Sequence, residues 1–369
     1  MPDDETGSAE LLPTRRCALG VLGTAAAAGA VGVVPASAQG ASPAPLAVTT
    51  PAPVAVPRGD LVNVLEYETQ ARLALGAARA APILGSDRTI TDRITLRPRM
   101  NIPTRDLDLA STLLGDEHFT PIIVGPVANQ KRFHADGELA TARGASAARA
   151  AMVVSSDAGV PLAQIAQATT QPLYVQVYAG SPRVKDVLAE AGAAKARAVF
   201  VTVGTNGSGA APINWAAIDA IARQTSLPVI VKGIATPQEA RQAVAHGARG
   251  VVVSNWRGGN PALPGTLLLI EPVVQAVGGQ VPVLADGSFR RGTDIVKALA
   301  LGARGVLVGR PVMWGLAAYG ADGVQGVVEM LQTELARYMC MCGRPTLAAV
   351  DASLVRVHAP LPTMRNNHG

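Results

Sequence analysis

Eight short apolar runs alternating with helical stretches constrain this chain more than any other feature. The runs lie at 121–124, 151–154, 173–178, 198–203, 228–232, 250–254, 282–285 and 305–308. Between them fall helical patterns at 137–149, 182–193, 237–246 and 292–301, and a last helix is predicted at about 321–340. Continuous apolar strands, without polar alternation, are what a parallel sheet needs when both its faces are covered. Eight of them, each followed by a helix, is the count that closes a parallel barrel. The pattern therefore predicts a (β/α)8 TIM barrel with an N-terminal helical extension at about 62–80. A doubly wound open sheet is the alternative, but no G-x-G-x-x-G turn follows the first strand.

The 369 residues are 49% hydrophobic and 16% charged, enough for one large core. A formal charge of +5 raises the question of an anionic polymer as partner. The basic residues are scattered and aromatics make up only 3%, so no basic track with stacking platforms exists and nucleic acid is not a predicted partner. Three cysteines supply neither a disulfide framework nor a metal spacing, and no metal site is expected. Cys340 and Cys342, two apart on a helix, diverge.

The first residues read as a targeting segment. Arg15 and Arg16 stand directly before an Ala-rich apolar run at 21–34, and Ala36-Ser37-Ala38 follows as a small-residue cleavage site. This resembles a twin-arginine export signal over residues 1–38, with periplasmic or extracellular localisation of the mature chain. A general secretory signal and an uncleaved anchor are the alternatives; the run is short and rich in Ala and Gly, so no stable membrane span is expected in the mature chain. Residues 39–57, rich in Ala, Pro and Ser, read as a disordered linker, and 58–369 as the barrel domain.

In a barrel, chemistry gathers at the C-terminal ends of the strands. Ser155, Gln176, Tyr178, Thr202, Lys232, Ser254, Asp286, Gly309 and Arg310 fall there. The last two strands run into Asp286-Gly287-Ser288-Phe289-Arg290-Arg291-Gly292 and Gly309-Arg310-Pro311. Small residues let backbone N–H groups approach a phosphate, and arginine adds a bidentate fork.

The stretch DGSFRRGTDIVKALALGARGVLVGRPVMWG at 286–315 resembles that of the FMN-dependent α-hydroxy-acid oxidases and dehydrogenases. Matching pieces are Leu96-Arg97-Pro98-Arg99, Gly137-Glu138-Leu139-Ala140-Thr141-Ala142-Arg143, Gln176-Val177-Tyr178, Val231-Lys232-Gly233-Ile234 and Ser254-Asn255, in family order from about 62 to 357. The resemblance implies FMN as cofactor, a small-molecule substrate, and a homo-oligomer, commonly a tetramer. It implies that Pro126, Val127 and Ala128 line the isoalloxazine edge, with Val127 in place of the usual Thr. Ser155, Gln176, Thr202 and Ser254 would meet the ring, and Lys232 would stabilise negative charge on its reduced form. Asp286 would hold the ribityl hydroxyls. Gly287, Ser288, Arg290, Gly309 and Arg310 would cradle the phosphate, Ser288 replacing a family Gly.

The substrate half of the pattern is broken. The family's base is a His just after the sixth strand, where this chain has Trp256, whose indole only donates. The carboxylate-binding Arg aligns with Gly259, and Arg257 is displaced. The Asp that orients the base has no counterpart at Thr202-Val203-Gly204, no Tyr occurs in 75–86, and the lid segment shrinks to 205–214. Tyr178 and Arg290 stay in register, leaving Tyr178, Lys232 and Arg290 as the candidate catalytic set. His118, His134 and His246 read as structural or surface residues rather than bases. The leading expectation is an exported FMN-dependent oxidoreductase with an altered substrate. A flavin enzyme without net redox change and a non-catalytic flavin-binding protein are the alternatives.

Overall fold

The structure is a computed structural model, and it describes residues 54–85, 88–98, 106–203, 212–255 and 265–359. Eight parallel strands close into a barrel. They are β1 (Ile122–Val124), β2 (Met152–Ser155), β3 (Leu173–Tyr178), β4 (Val199–Thr202), β5 (Val229–Ile234), β6 (Gly250–Val253), β7 (Val283–Asp286) and β8 (Gly305–Val308), with β8 paired back onto β1. Each matches a predicted run to within two residues. The barrel is as expected, and an open sheet is excluded by the β8–β1 pairing.

Residues alternate across each strand. Ile123, Val153, Tyr174, Phe200, Ile230, Val252, Leu284 and Leu307 point inward and form one apolar cluster that plugs the barrel. Their neighbours, such as Val124, Val154, Val177, Val201, Val231, Val253 and Val308, point outward into a second cluster shared with the helices. Both faces of the sheet are buried, which is why the strands read as unbroken apolar runs.

The helices are α1 (Val64–Leu75), α2 (Glu138–Ala147), α3 (Leu162–Gln167), α4 (Val184–Ala193), α5 (Trp215–Arg223), α6 (Pro237–Ala245), α7 (Thr266–Val277), α8 (Gly292–Ala300) and α9 (Arg310–Met341). One predicted boundary is corrected: the N-terminal extension breaks at Gly76, whose φ of 74° suits glycine, before a single turn at Ala77–Ala80. A non-helical break at Tyr319 and Gly320 divides α9, so the predicted last helix starts after it as expected, and a further helical stretch from Arg310, with Pro311 at its first turn, precedes it. Val56, inside the stretch read as linker, is tied down: its N–H donates to Gln70 Oε1 at 3.2 Å and its carbonyl accepts from Tyr319 Oη at 2.7 Å.

A hairpin of Ser111–Leu113 and Asp116–His118 contributes Leu113 to the cluster inside the barrel. His118 is buried there, 3.0 Å from the Tyr174 hydroxyl, and burial lowers its pKa. This is the structural role expected of it. His134 is half-buried beside Gly320, and His246 stacks on Trp215 and meets Asp219 at 2.9 Å. Neither is a bare surface residue, and neither stands at a strand's C-terminal end. Cys340 and Cys342 are free thiols. Among the described residues no helix is long and apolar enough to cross a membrane, and no group of three or more potential metal ligands converges.

Candidate active site

The next inward-facing position after the apolar plug holds, on the eight strands in turn, Gly125, Ser155, Gln176, Thr202, Lys232, Ser254, Asp286 and Gly309. All but Gly125 are expected there from sequence, and the fold stacks them as one layer at the C-terminal end of the barrel. Ser155, Gln176, Thr202, Lys232 and Ser254 are all buried. Ser155 Oγ donates to Gln176 Oε1 at 3.0 Å, and the Lys232 ammonium pairs with the Asp286 carboxylate. The strand irregularity after Lys232 is made by Gly233, at φ 111°, where a Cβ would meet the Val203 carbonyl at 2.7 Å. Only glycine lets β5 turn there without displacing β4.

Buried polar atoms nearly always have partners. At this end of the barrel several lack one among the described residues: Gln176 Nε2, Asp286 Oδ1, and Arg290 Nε and Nη2. Arg290 is 2% exposed. Its Nη1 donates to the Phe289 carbonyl at 3.0 Å, and its guanidinium lies 4.9 Å from the Trp314 ring centre. Burial, and then the nearby Arg310 charge, push its pKa down to about 9. Arg310 is itself lowered by burial and donates to the Gly85 carbonyl at 2.7 Å. Two guanidinium groups held against their own repulsion call for an anion between them. The orphaned amide, carboxylate and guanidinium atoms fit a ligand with a polar ring, hydroxyls and a phosphate.

The phosphate-side loop is shaped by Gly287, at φ 98°, and Ser288, at φ 48°. The left-handed conformation at Ser288 explains the glycine usual there; a serine costs about 1 kcal/mol more. Sequence reasoning missed Asp294. It is fully buried at the start of α8, accepts from the Arg290 and Arg291 N–H groups at 2.9 Å each, and receives a bidentate pair from Arg88. An acid three residues past Arg291, at the third helical position, was the available signal. Glu138, within the motif at 137–143, is fully buried, and its Oε1 accepts from the Gln130 N–H at 2.9 Å and the Gly159 N–H at 3.0 Å. Gln130 in turn donates to the Val127 carbonyl at 3.3 Å, so Glu138 props the half-buried loop Pro126, Val127 and Ala128.

Tyr178 ends β3, half-buried, with its hydroxyl pKa raised by burial and by the Asp157 carboxylate. Gly204, Trp256, Arg257 and Gly259, on which the broken pattern rests, lie outside the described residues, as does the N-terminal signal.

Comparison with known proteins agrees with this geometry. The chain matches the FMN-dependent dehydrogenase family over residues 71–212 and 205–357. It belongs to that family, and it is an FMN-dependent oxidoreductase with FMN as its cofactor. It is similar to a peroxisomal (S)-2-hydroxyacid oxidase of Arabidopsis thaliana, 33% identical over 350 residues, covering 80% of this chain and 96% of the relative. Glycolate oxidase of Spinacia oleracea is 33% identical over 363 residues, covering 83% and 98%. The crystal structure of mandelate oxidase superposes with a TM-score of 0.75 at 32% identity, over 81% of this chain and all of that one. A mutant mandelate oxidase holding a C4a-OH-FMN adduct gives 0.73 at 32% identity, over 80% of this chain and all of that one.

Proposed function

We propose that this protein is an exported FMN-dependent oxidoreductase of the α-hydroxy-acid dehydrogenase type whose substrate side is altered, so that it is not an ordinary 2-hydroxy-acid oxidase. One observation carries the cofactor half: residues at the C-terminal end of the barrel, Gln176, Asp286 and Arg290, hold buried polar atoms with no partner among the described residues. In this reading Gly287, Ser288, Arg290, Gly309 and Arg310 hold the phosphate, with backbone N–H groups and two guanidinium forks. Asp286 accepts from the ribityl hydroxyls. Ser155, Gln176, Thr202 and Ser254 bond the polar edge of the ring, along which Pro126, Val127 and Ala128 lie. Bound FMN supplies a two-electron acceptor. Lys232, held by Asp286, offers the positive charge that favours a reduced, anionic ring.

The altered substrate side rests on sequence: Trp256 stands where the base belongs, Gly259 where the carboxylate clamp belongs, and Gly204 where the orienting acid belongs. Export rests on Arg15 and Arg16 before the apolar run. Tyr178 remains as substrate anchor or proton donor, and Arg290 and Lys232 supply positive charge.

The test is an anaerobic screen of the yellow holoprotein against a panel of electron donors. Bleaching by a donor other than lactate, glycolate or mandelate is expected. A spectral shift with some ligands but bleaching by none would favour a flavin-binding protein without turnover.

A further inference from the structure

Above the polar layer, the barrel has one more inward position before it opens. On β3 that position is Tyr178, two residues past Gln176. On the turn leaving β2, Ser155 and Gln176 are partners in register, the Ser156 N–H donates to the Gln176 carbonyl at 2.8 Å, and Asp157 is the next residue. That pairing brings Asp157 level with Tyr178 at the mouth, where its carboxylate acts on the Tyr178 hydroxyl.

Asp157 is exposed, yet its backbone is pinned on both sides. Its N–H donates to Ser155 Oγ at 3.2 Å, and its carbonyl accepts from the Asn129 N–H at 2.9 Å. Ser155 is the residue that also grips Gln176. The carboxylate thus stands on the frame that shapes the cofactor layer. Its side chain accepts from Ser156 Oγ at 3.4 Å, and among the described residues no lysine or arginine forms an ion pair with it.

Among the described residues the nearby cations have other work. Lys232 pairs with Asp286 within the layer below. Arg290 is buried against Trp314, and Arg310 donates to the Gly85 carbonyl. Arg183 reaches the Ser156 carbonyl at 3.1 Å and Glu190 at 3.7 Å, on the outer wall between α3 and α4. Glu68 accepts from the Gly85 N–H on the phosphate side. So among the described residues the mouth beside Tyr178 presents an acid where a 2-hydroxy acid would need a base and a cation.

Resting on the altered-site reading above, we propose that Asp157 is a specificity-determining residue, and that it selects a small substrate bearing a cationic amino group in place of a carboxylate. Tyr178, the neighbouring hydroxyl, bonds the same end of that substrate. A carboxylate that keeps part of its hydration favours a cation over a matched anion by a modest factor, about two- to fivefold.

The experiment titrates the full-length holoprotein with matched pairs, benzylamine against benzoate and butylamine against butyrate, and follows the flavin difference spectrum. The amines are expected to bind about two- to fivefold tighter than the acids in the wild type. Asp157→Asn should erase that preference while FMN content and the unliganded spectrum stay unchanged, and Asp157→Glu should restore part of it. Tighter binding of the acids, an equal response in Asp157→Asn, or no spectral change with any of the four would overturn the proposal. A parallel trial with glycolate separates the two readings. Rapid bleaching by glycolate defeats the altered site itself, whereas silence towards glycolate without an amine preference defeats only the role of Asp157.

Discussion

Arg290→Met should do two opposite things. In the flavin-free chain, burial and the Arg310 charge hold the Arg290 pKa near 9, well below the ordinary guanidinium range. That gap corresponds to roughly 3–5 kcal/mol of destabilisation, at about 1.4 kcal/mol per pH unit. A guanidinium keeps its proton in the folded and the unfolded chain alike, so the cost of burying the charge is present in full. Methionine removes the charge but also removes the hydrogen bond to Phe289 and the contact with Trp314, together worth about 1–2 kcal/mol. The flavin-free variant should therefore be more stable than wild type by about 1–4 kcal/mol at pH 7. Its affinity for FMN should fall by about 2–4 kcal/mol, some thirty- to a thousandfold. Urea unfolding of the flavin-free proteins measures the first effect, and quenching of FMN fluorescence on titration measures the second. A flavin-free variant less stable than wild type, or an FMN affinity within threefold of it, would refute the reading of Arg290 as a charge held for a phosphate.

Replacing both Arg15 and Arg16 by Lys should trap the precursor inside the cell, as fractionation would show, and normal export would point to the general secretory route. Trp256→His alone should recover little turnover of L-lactate or glycolate, because a base contributes about two to four orders of magnitude only when oriented. Adding Gly204→Asp and Gly259→Arg should help by more than the sum of single changes in a dye-linked assay, since the three act as a unit; additive gains would contradict this. His118 is buried with its pKa lowered, so stability should drop as pH falls below about 6.5, where the unfolded chain takes up the proton first. His118→Gln should flatten that part of a denaturation-versus-pH curve, and an unchanged slope would exclude the residue.

The barrel was legible because its strands are buried on both faces, which leaves runs such as Gly250–Val253 with no polar interruption. The polar layer was legible for the same reason: Gln176 and Lys232 are conspicuous at the ends of such runs. Features made by tertiary contact left little trace. The three-residue strands Ile94–Leu96 and Val355–Val357 pair across more than 250 residues and carry no periodicity. The start of α9 was hidden because Gly309-Arg310-Pro311 reads as a loop until Pro311 is seen at a first helical turn. Asp294 and Glu138 support the loops that face the cofactor, yet each reads in sequence as an ordinary helix-starting acid. Asp157 became visible only once the pairing of β2 with β3, carried past Ser155 by the Ser156–Gln176 hydrogen bond, brought it level with Tyr178.

The most direct test of a kept cofactor half and a changed substrate half is rapid mixing of the oxidised holoprotein with glycolate, L-lactate and mandelate under anaerobic conditions, followed by release and identification of the flavin. The expected result is stoichiometric FMN, reduced at once by dithionite and left oxidised by all three acids. Full bleaching by any of them within a few turnovers' time would show that another residue serves as base, and the substrate side would have to be read as intact.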